Sequence, residues 1–194
     1  MKKILFGFAI ILIASCTKDT PIPPIPVDTN TSNPLPNPSP TPIGDNPLFI
    51  NEFMAKNTTV SCPDSGNGNY KEADWIEIYN PNNTAINLGG YYLTDSLPYP
   101  TKYQIPTNDA AKTTIAAKGY LLFWCDSRPL GAAHATFSLS KSGEHIALIK
   151  PDGTTFIDSL SFGAQTTDVS SGRVSDGANT WKFFSPATPG ASNQ

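Results

Sequence analysis

Cationic side chains are scarce in this sequence. Its 194 residues include 13 lysines and arginines, and the formal net charge is −3 at pH 7. Non-specific binding to nucleic acid needs several cationic side chains near successive phosphates. The thin scatter of Lys and Arg therefore argues against nucleic acid as a partner.

Histidine is scarcer still, and this limits the catalytic arrangements that the chain can build. The two histidines, His134 and His145, lie in or beside predicted strands, and no Gly-x-Ser-x-Gly motif is present. Nucleophilic catalysis needs a serine or cysteine beside a base. We therefore expect structural roles for both histidines, with His134 hydrogen-bonded to a neighbouring loop, and predict that the protein is not an enzyme.

The N-terminal apolar run is too short to span a membrane. Met1-Lys2-Lys3 precedes the apolar stretch Ile4 to Ile13, whereas a membrane-spanning helix needs about 20 such residues. Ile13-Ala14-Ser15-Cys16 then resembles the lipobox of bacterial lipoproteins, in which the cysteine receives a diacylglyceryl group and its freed amine a fatty acid such as palmitate. The resemblance implies a signal peptide over residues 1–15 and lipid attachment at Cys16, which would anchor the protein to a membrane.

The residues after Cys16 bear on localisation. The residue after Cys16 is Thr17 and not the aspartate that resembles an inner-membrane retention signal. Lys18-Asp19 resembles the charged export tag of some Gram-negative surface lipoproteins. In an alternative interpretation both charges are solvated linker residues. We expect an exported, lipid-anchored envelope protein at the outer membrane, displayed on the cell surface if the tag operates.

Proline is concentrated in the segment that follows. Ten of the 19 prolines lie between Thr17 and Pro47, among Thr, Ser and Asn. Fixed φ and missing N–H donors favour extended polyproline II over helix or central strand. Residues 16–46 are therefore predicted to be the lipidated cysteine and a disordered tether, whose length at about 3.1 Å per residue reaches roughly 90 Å.

From residue 47 onward, short apolar or alternating runs are separated by turn residues. The predicted strands are Leu48 to Met54, Trp75 to Tyr79, Tyr91 to Thr94, Thr113 to Ile115, Tyr120 to Cys125, Ile146 to Lys150 and Thr155 to Ser161. No βαβ pattern is visible. The pattern predicts an all-β domain over residues 47–194, either a sandwich or a barrel.

Several collinear motifs resemble the bacterial lamin tail domain. They include Ile50-Asn51-Glu52-Phe53-Met54, Asp74-Trp75-Ile76-Glu77-Ile78-Tyr79-Asn80, Leu88-Gly89-Gly90-Tyr91-Tyr92-Leu93-Thr94-Asp95, His134-Ala135-Thr136-Phe137-Ser138-Leu139-Ser140, Ser171-Gly172-Arg173 and Thr188-Pro189-Gly190-Ala191-Ser192-Asn193. The resemblance covers residues 47–194 and implies an immunoglobulin-like β-sandwich. In bacteria such domains look like accessory modules beside nucleases, phosphatases or surface proteins, and the lamin version is linked to protein and chromatin contacts.

The chain stops after the last of these motifs, so we expect the sandwich itself to act. The predicted function is a non-enzymatic, lipid-anchored binding module for a protein or glycan partner. The alternative is an accessory subunit that assists a separate hydrolase or nutrient-uptake system.

Carboxylates at strand edges are the candidate metal ligands. Glu52, Asp74, Glu77 and Asp126, with Asp95 beside them, could converge at one end of a sandwich as oxygen ligands for Ca²⁺. In the alternative interpretation they bond turn amides and terminate strands. No other cofactor is predicted.

Two further sets of residues have competing interpretations. Cys62 and Cys125 remain after Cys16 is lipidated, and an oxidising compartment would permit a disulfide between them, whereas a buried Cys125 with Cys62 in a loop is the alternative. Tyr92, Tyr99, Tyr103 and Trp124, with Tyr91, are candidates for a ligand-contact surface. The alternative is that most of these rings fill the core.

Overall fold

The computed structural model describes residues 35–38, 47–62 and 72–194. The predicted signal peptide, Cys16 and most of the tether lie outside these residues. Within them the chain forms thirteen strands and one short helix. The strands are β1 (Asn37–Pro38), β2 (Phe49–Met54), β3 (Asp74–Tyr79), β4 (Ile86–Asn87), β5 (Tyr92–Thr94), β6 (Tyr103–Gln104), β7 (Thr114–Ile115), β8 (Tyr120–Cys125), β9 (His134–Ala135), β10 (Glu144–Ile149), β11 (Phe156–Phe162), β12 (Ser170–Arg173) and β13 (Trp181–Phe184), and the helix α1 is Ala110–Thr113.

The strands form two main sheets that pack on each other. One sheet has the order β1-β11-β10-β5-β6, the other has the order β13-β12-β2-β3-β8-β9, and β4 pairs with β7 in a small third sheet. All pairs are antiparallel except β8 with β9. The predicted all-β sandwich is confirmed. The described residues contain no helix that is long and apolar enough to cross a membrane.

The core lies between the two main sheets and follows from period-two alternation in the strands. Ile76 and Ile78 of β3 and Phe123 of β8 meet Ile146 and Leu148 of β10, and all five side chains are fully buried. The residues that alternate with these along β3 and β8 point to the outer face of the six-stranded sheet. There, Trp75 and Trp124 form a second apolar cluster with Met54, Ala73 and Cys62.

A bulge in β2 resets this alternation. Ile50 pairs with Ile78, and the next pair is Glu52 with Glu77, so that Asn51 is the extra residue. Because of the bulge, Ile50 and Phe53 both face the core although three residues separate them. Asn51 and Glu52 consequently both direct polar side chains to the outer face.

Part of the predicted tether is a strand. Residues 37 and 38 pair with Ser161 and Leu160 of β11 at the edge of the five-stranded sheet. Proline lacks an N–H donor and is tolerated at such an edge. The prediction of a disordered tether up to residue 46 is therefore corrected for this segment.

A buried ion pair joins the two sheets inside the sandwich. Nη2 of Arg173 in β12 lies 2.7 Å from Oδ2 of Asp158 in β11, and both side chains are at most 2% exposed. Asp158 also accepts a hydrogen bond from the backbone N–H of Ile50, and Arg173 donates from Nε to the Ile50 carbonyl oxygen. The pair thereby ties β11, β12 and β2 together.

Candidate functional site

The loop after β8 brings two polar side chains together. Residues 126–133 carry the chain back to β9, which lies parallel to β8 with His134 opposite Trp124. Backbone hydrogen bonds from Trp124 N to the Ala133 oxygen (2.8 Å) and from His134 N to the Gly131 oxygen (3.0 Å) fix the return. Asp126, at the start of the loop, therefore meets His134 at its end.

Asp126 orients the ring of His134. Oδ2 of Asp126 is 2.9 Å from Nδ1 of His134 and 3.0 Å from Nη2 of Arg128. An ionised carboxylate can only accept, so Nδ1 carries the proton and donates it. Nε2 of the same ring is buried and has no hydrogen-bond partner in the structure. A buried polar atom without a partner is uncommon and costs free energy, so a hydrogen bond to Nε2 would be favourable.

A cavity of about 450 Å³ adjoins this ring. His134 lines it together with Tyr103, Pro106, Asn108, Pro129 and Thr136. Its volume falls within the range of small-molecule sites, which are about 300–1,000 Å³. Asn108 and Thr136 are exposed at the surface, whereas His134 is only 1% exposed. The cavity thus has an open polar rim and a buried imidazole.

The sequence interpretation missed this cavity. It assigned His134 a bond to a neighbouring loop, and the Asp126 contact agrees with that assignment. It named Tyr103 as a candidate for a ligand-contact surface with the core as the alternative, and Tyr103 is in the core, where its hydroxyl donates to the Ala132 oxygen at 3.0 Å. No local pattern predicts the site, because Asp126 and His134 meet only through the return of β9 beside β8.

The carboxyl groups of Glu52 and Glu77 bind the C-terminal segment of the chain. Thr188 donates to Glu52 from its backbone N–H (3.0 Å) and its hydroxyl (2.6 Å). Gly190 N donates to Oε2 of Glu77 at 2.6 Å, and Asn51 donates to Oε1 at 3.1 Å. Burial raises the pKa of Glu77 to about 8, although both donors act in the opposite direction. These two residues hold residues 188–190 on the outer face of the sheet.

Asp74 and Asp126 lie apart from that pair. Asp74 is three residues before Glu77 on β3, about 10 Å along the strand and on the opposite face of the sheet. Its carboxylate accepts a hydrogen bond from Asn57 N, and burial raises its pKa to about 6. In the described ranges no group of three or more His, Cys, Asp or Glu side chains could hold a metal ion. The expectation that Glu52, Asp74, Glu77 and Asp126 converge as calcium ligands is corrected accordingly.

The two cysteines are buried thiols in the structure, which contradicts the disulfide and agrees with the alternative of a buried Cys125. Cys125 belongs to the core between the sheets, whereas Cys62 packs in the cluster on the outer face of the six-stranded sheet. The sheet itself separates the two sulfur atoms. Burial, followed by nearby carboxylates, raises the pKa of Cys125 well above its usual range, and this opposes formation of a thiolate.

The predicted aromatic surface is only partly present. Tyr99 is 69% exposed, but Tyr103 and Trp124 are each 6% exposed, and Tyr92 is half-buried. Trp124 packs in the outer-face cluster because it alternates with Phe123 and Cys125 along β8. The four rings therefore do not form one platform, and Tyr103 and Trp124 follow the alternative interpretation, in which these rings are buried.

His145 makes a contact that the sequence interpretation did not predict. Its Nδ1 is 2.7 Å from the hydroxyl oxygen of Ser161, directly opposite on β11. Neither residue lines the cavity beside β9. We interpret this contact as a cross-strand pair that stabilises the five-stranded sheet.

Comparison with known protein families identifies the domain. The family model for the Lamin Tail Domain matches residues 42–164, which is more than half of the chain. The chain belongs to the lamin tail domain family. Lamin tail domains are immunoglobulin-like β-sandwiches, and the sheets described above conform to that fold. No curated protein and no solved structure matches the chain.

The matched region of the lamin tail domain includes the cavity and the Asp126–His134 pair. The Arg173 side chain and the C-terminal segment held by Glu52 and Glu77 lie beyond it. An immunoglobulin-like domain of this family is compatible with a role as an interaction module.

Proposed function

We propose that the protein is a non-enzymatic binding module that is exported, anchored to the envelope through a lipid on Cys16, and contacts a protein or glycan with its lamin tail domain. The cavity beside β9 is the observation that carries this proposal. It combines exposed polar side chains at its rim with a buried, preoriented imidazole at its wall. A concave site with a few convergent polar groups is the usual form of a ligand site.

The outer face of the six-stranded sheet is less suited to a partner. Its apolar rings are covered by the segment that carries Cys62, and Glu52 and Glu77 are occupied by residues 188–190. The cavity, in contrast, has exposed side chains at Asn108 and Thr136. We therefore assign partner contact to the cavity and its rim.

The Asp126–His134 pair also occurs in nucleophilic enzymes, where a third residue attacks the substrate. Here the hydroxyl-bearing side chains that line the cavity belong to Tyr103 and Thr136. Tyr103 donates its proton to the Ala132 oxygen, and Thr136 lies at the exposed rim. This arrangement favours a binding role for His134 over a catalytic one.

The lipid anchor is tested by metabolic labelling with an alkyne analogue of palmitate. We expect the wild-type chain to take up the label and to fractionate with outer membranes, and the Cys16→Ala variant to lose both properties. Protease added to intact cells would degrade the domain if it faces outward. Equal labelling of wild type and variant would contradict anchoring through Cys16.

The binding surface is tested by site-specific photo-cross-linking in intact envelopes. A photoreactive amino acid replaces Asn108 at the rim of the cavity, and Thr154, exposed in the turn between β10 and β11, provides the matched control position. We expect a discrete adduct from position 108 only. An adduct with a hydrolase or uptake protein would support the accessory role, and identical patterns from both positions would contradict the proposed surface.

A further inference from the structure

We infer that the cavity beside β9 takes a neutral, hydroxyl-rich ligand of sugar size, and that Nε2 of His134 accepts a hydrogen bond from one of its hydroxyl groups. The inference rests on the proposed function, because it names the ligand chemistry of the same cavity. Three features carry it: the direction of the imidazole, the character of the lining side chains and the charges around them.

The His134 ring lines the cavity, and its unused edge points away from Asp126. Nδ1 is bonded to Asp126, so Cδ2 and Nε2 form the opposite edge of the ring. A Cβ atom built on Gly131 would lie 3.9 Å from Cδ2 of His134, and Gly131 also lines the cavity. Gly131 has a φ of +148°, which side-chain-bearing residues rarely adopt. Glycine at this position therefore places no side chain beside that edge of the ring.

The tautomer of the ring selects the ligand group. When Nδ1 holds the proton that it donates to Asp126, Nε2 of the imidazole carries a lone pair and accepts. It is buried and without a partner, so a hydroxyl donor would satisfy it at the point where water is excluded. A group with acceptors only would leave that lone pair unmatched.

The remaining lining suits a molecule that has both hydroxyl groups and apolar C–H faces. The amide of Asn108 and the hydroxyl of Thr136 can each donate and accept. Pro106, Pro129 and the ring of Tyr103 offer apolar surface of the kind on which the C–H faces of a sugar ring pack.

The charges near the cavity do not favour an anion. Asp109 contributes a carboxylate to the lining, and none of the described lining residues is a lysine or arginine. The carboxylate of Asp109 already accepts a hydrogen bond from the Lys112 backbone N–H as the N-cap of α1. Arg128 is paired with Asp126 on the other side of the His134 ring. A neutral ligand is thus better matched than sulfate, phosphate or a carboxylate.

The test observes Nε2 directly. The full chain carrying Cys16→Ser, labelled with ¹⁵N in histidine, is titrated with glucose, galactose, mannose and their N-acetylamino derivatives, and with sulfate and putrescine as ionic probes. We expect a saturable shift of the Nε2 resonance of His134 with at least one sugar, and no shift of His145 or with sulfate. A shift with sulfate or putrescine alone would overturn the inference.

Variants at the rim test the same inference without disturbing the buried pair. Thr136→Ala and Asn108→Ala each remove one hydrogen-bonding group at an exposed position, and each should weaken sugar binding about fivefold. Thr107→Ala, exposed next to the cavity but not lining it, should leave the affinity unchanged. Equal affinities in all three variants would overturn the assigned site.

The two proposals fail separately. If no sugar moves the Nε2 resonance while position 108 still cross-links to a protein in the envelope, the ligand class is wrong and the binding surface stands. If sugars bind but the envelope adduct is absent, the ligand class stands and the proposed partner contact at this rim is wrong.

Discussion

Replacing Arg173 tests how the two sheets are held together. Its guanidinium lies 2.7 Å from the Asp158 carboxylate and is flanked by the rings of Phe49 and Trp181 at 5.0 and 5.1 Å. Arg173→Met keeps most of the apolar stem and removes the charge, so Asp158 is left buried without its counter-ion. Breaking one half of a buried pair costs about 3–5 kcal/mol, out of roughly 5–15 kcal/mol for a typical domain.

The assay is urea unfolding followed by tryptophan fluorescence. With an m-value of about 2 kcal/mol/M, a loss of about 4 kcal/mol lowers the unfolding midpoint by about 2 M. The control adds Asp158→Asn to Arg173→Met. A neutral amide oxygen can still accept from the backbone N–H of Ile50, which lies 2.8 Å from the carboxylate in the native chain.

The control variant should recover part of the lost stability. Burial raises the pKa of Asp158 above its ordinary value even beside Arg173, so a neutral side chain is tolerated better there than an unpaired charge. A midpoint shift of less than about 0.5 M for Arg173→Met would refute the reasoning. So would a double variant that is no more stable than the single one.

Three further predictions concern other buried groups. Burial raises the pKa of Glu77 from 4.5 to about 8, so the folded state holds a proton that the unfolded state releases. Glu77 alone should therefore lower stability by up to about 1.4 kcal/mol per pH unit between about pH 5 and pH 8, and urea midpoints that do not change with pH would contradict this. Asn193→Ala removes the side-chain amide that donates to the backbone carbonyls of Arg173 (2.8 Å) and Asn51 (3.2 Å). The loss should lower the free energy of unfolding by about 2 kcal/mol in the same assay, whereas Gln194→Ala, at an exposed position, should leave it unchanged. Cys62 and Cys125 should resist alkylation in the native chain and both react after unfolding without reductant, since both are buried thiols; no reaction after unfolding would instead show a disulfide.

The long strands could be predicted from the sequence, because their alternation is strong. Tyr120 to Cys125 is a strand over the predicted residues, and β2, β3, β10 and β11 begin and end within two residues of the predicted bounds. β12, Ser170–Arg173, was not among the predicted strands because it contains no apolar side chain. It forms a strand because it is hydrogen-bonded to β2 on one side and β13 on the other. The neighbours also restrict its residues, since a Cβ at Gly172 would approach the Phe184 ring to 2.8 Å. Tertiary context decides such strands.

The candidate site could not be predicted, for related reasons. The convergence expected for Glu52 and Asp74 failed because the two lie at different places on the sheet, and one extra residue in β2 changes which side chains face outward. The cavity depends on a parallel pair of only two residues, in which His134 lies opposite Trp124. Asp126 and His134 are eight residues apart in the sequence, and no sequence pattern predicts that the intervening loop brings them into contact.

The most direct test of the central claim measures whether the cavity is occupied in the envelope. Cysteine is introduced at position 108, at the rim, or at position 154 as the control, and the rate of maleimide labelling is compared between intact envelopes and the lipid-anchored chain purified from them, in which Cys16 carries no free thiol. Burial of Cys62 and Cys125 keeps their background reaction low. We expect slower labelling in envelopes at position 108 only. Equal slowing at both positions, or none at position 108, would contradict it.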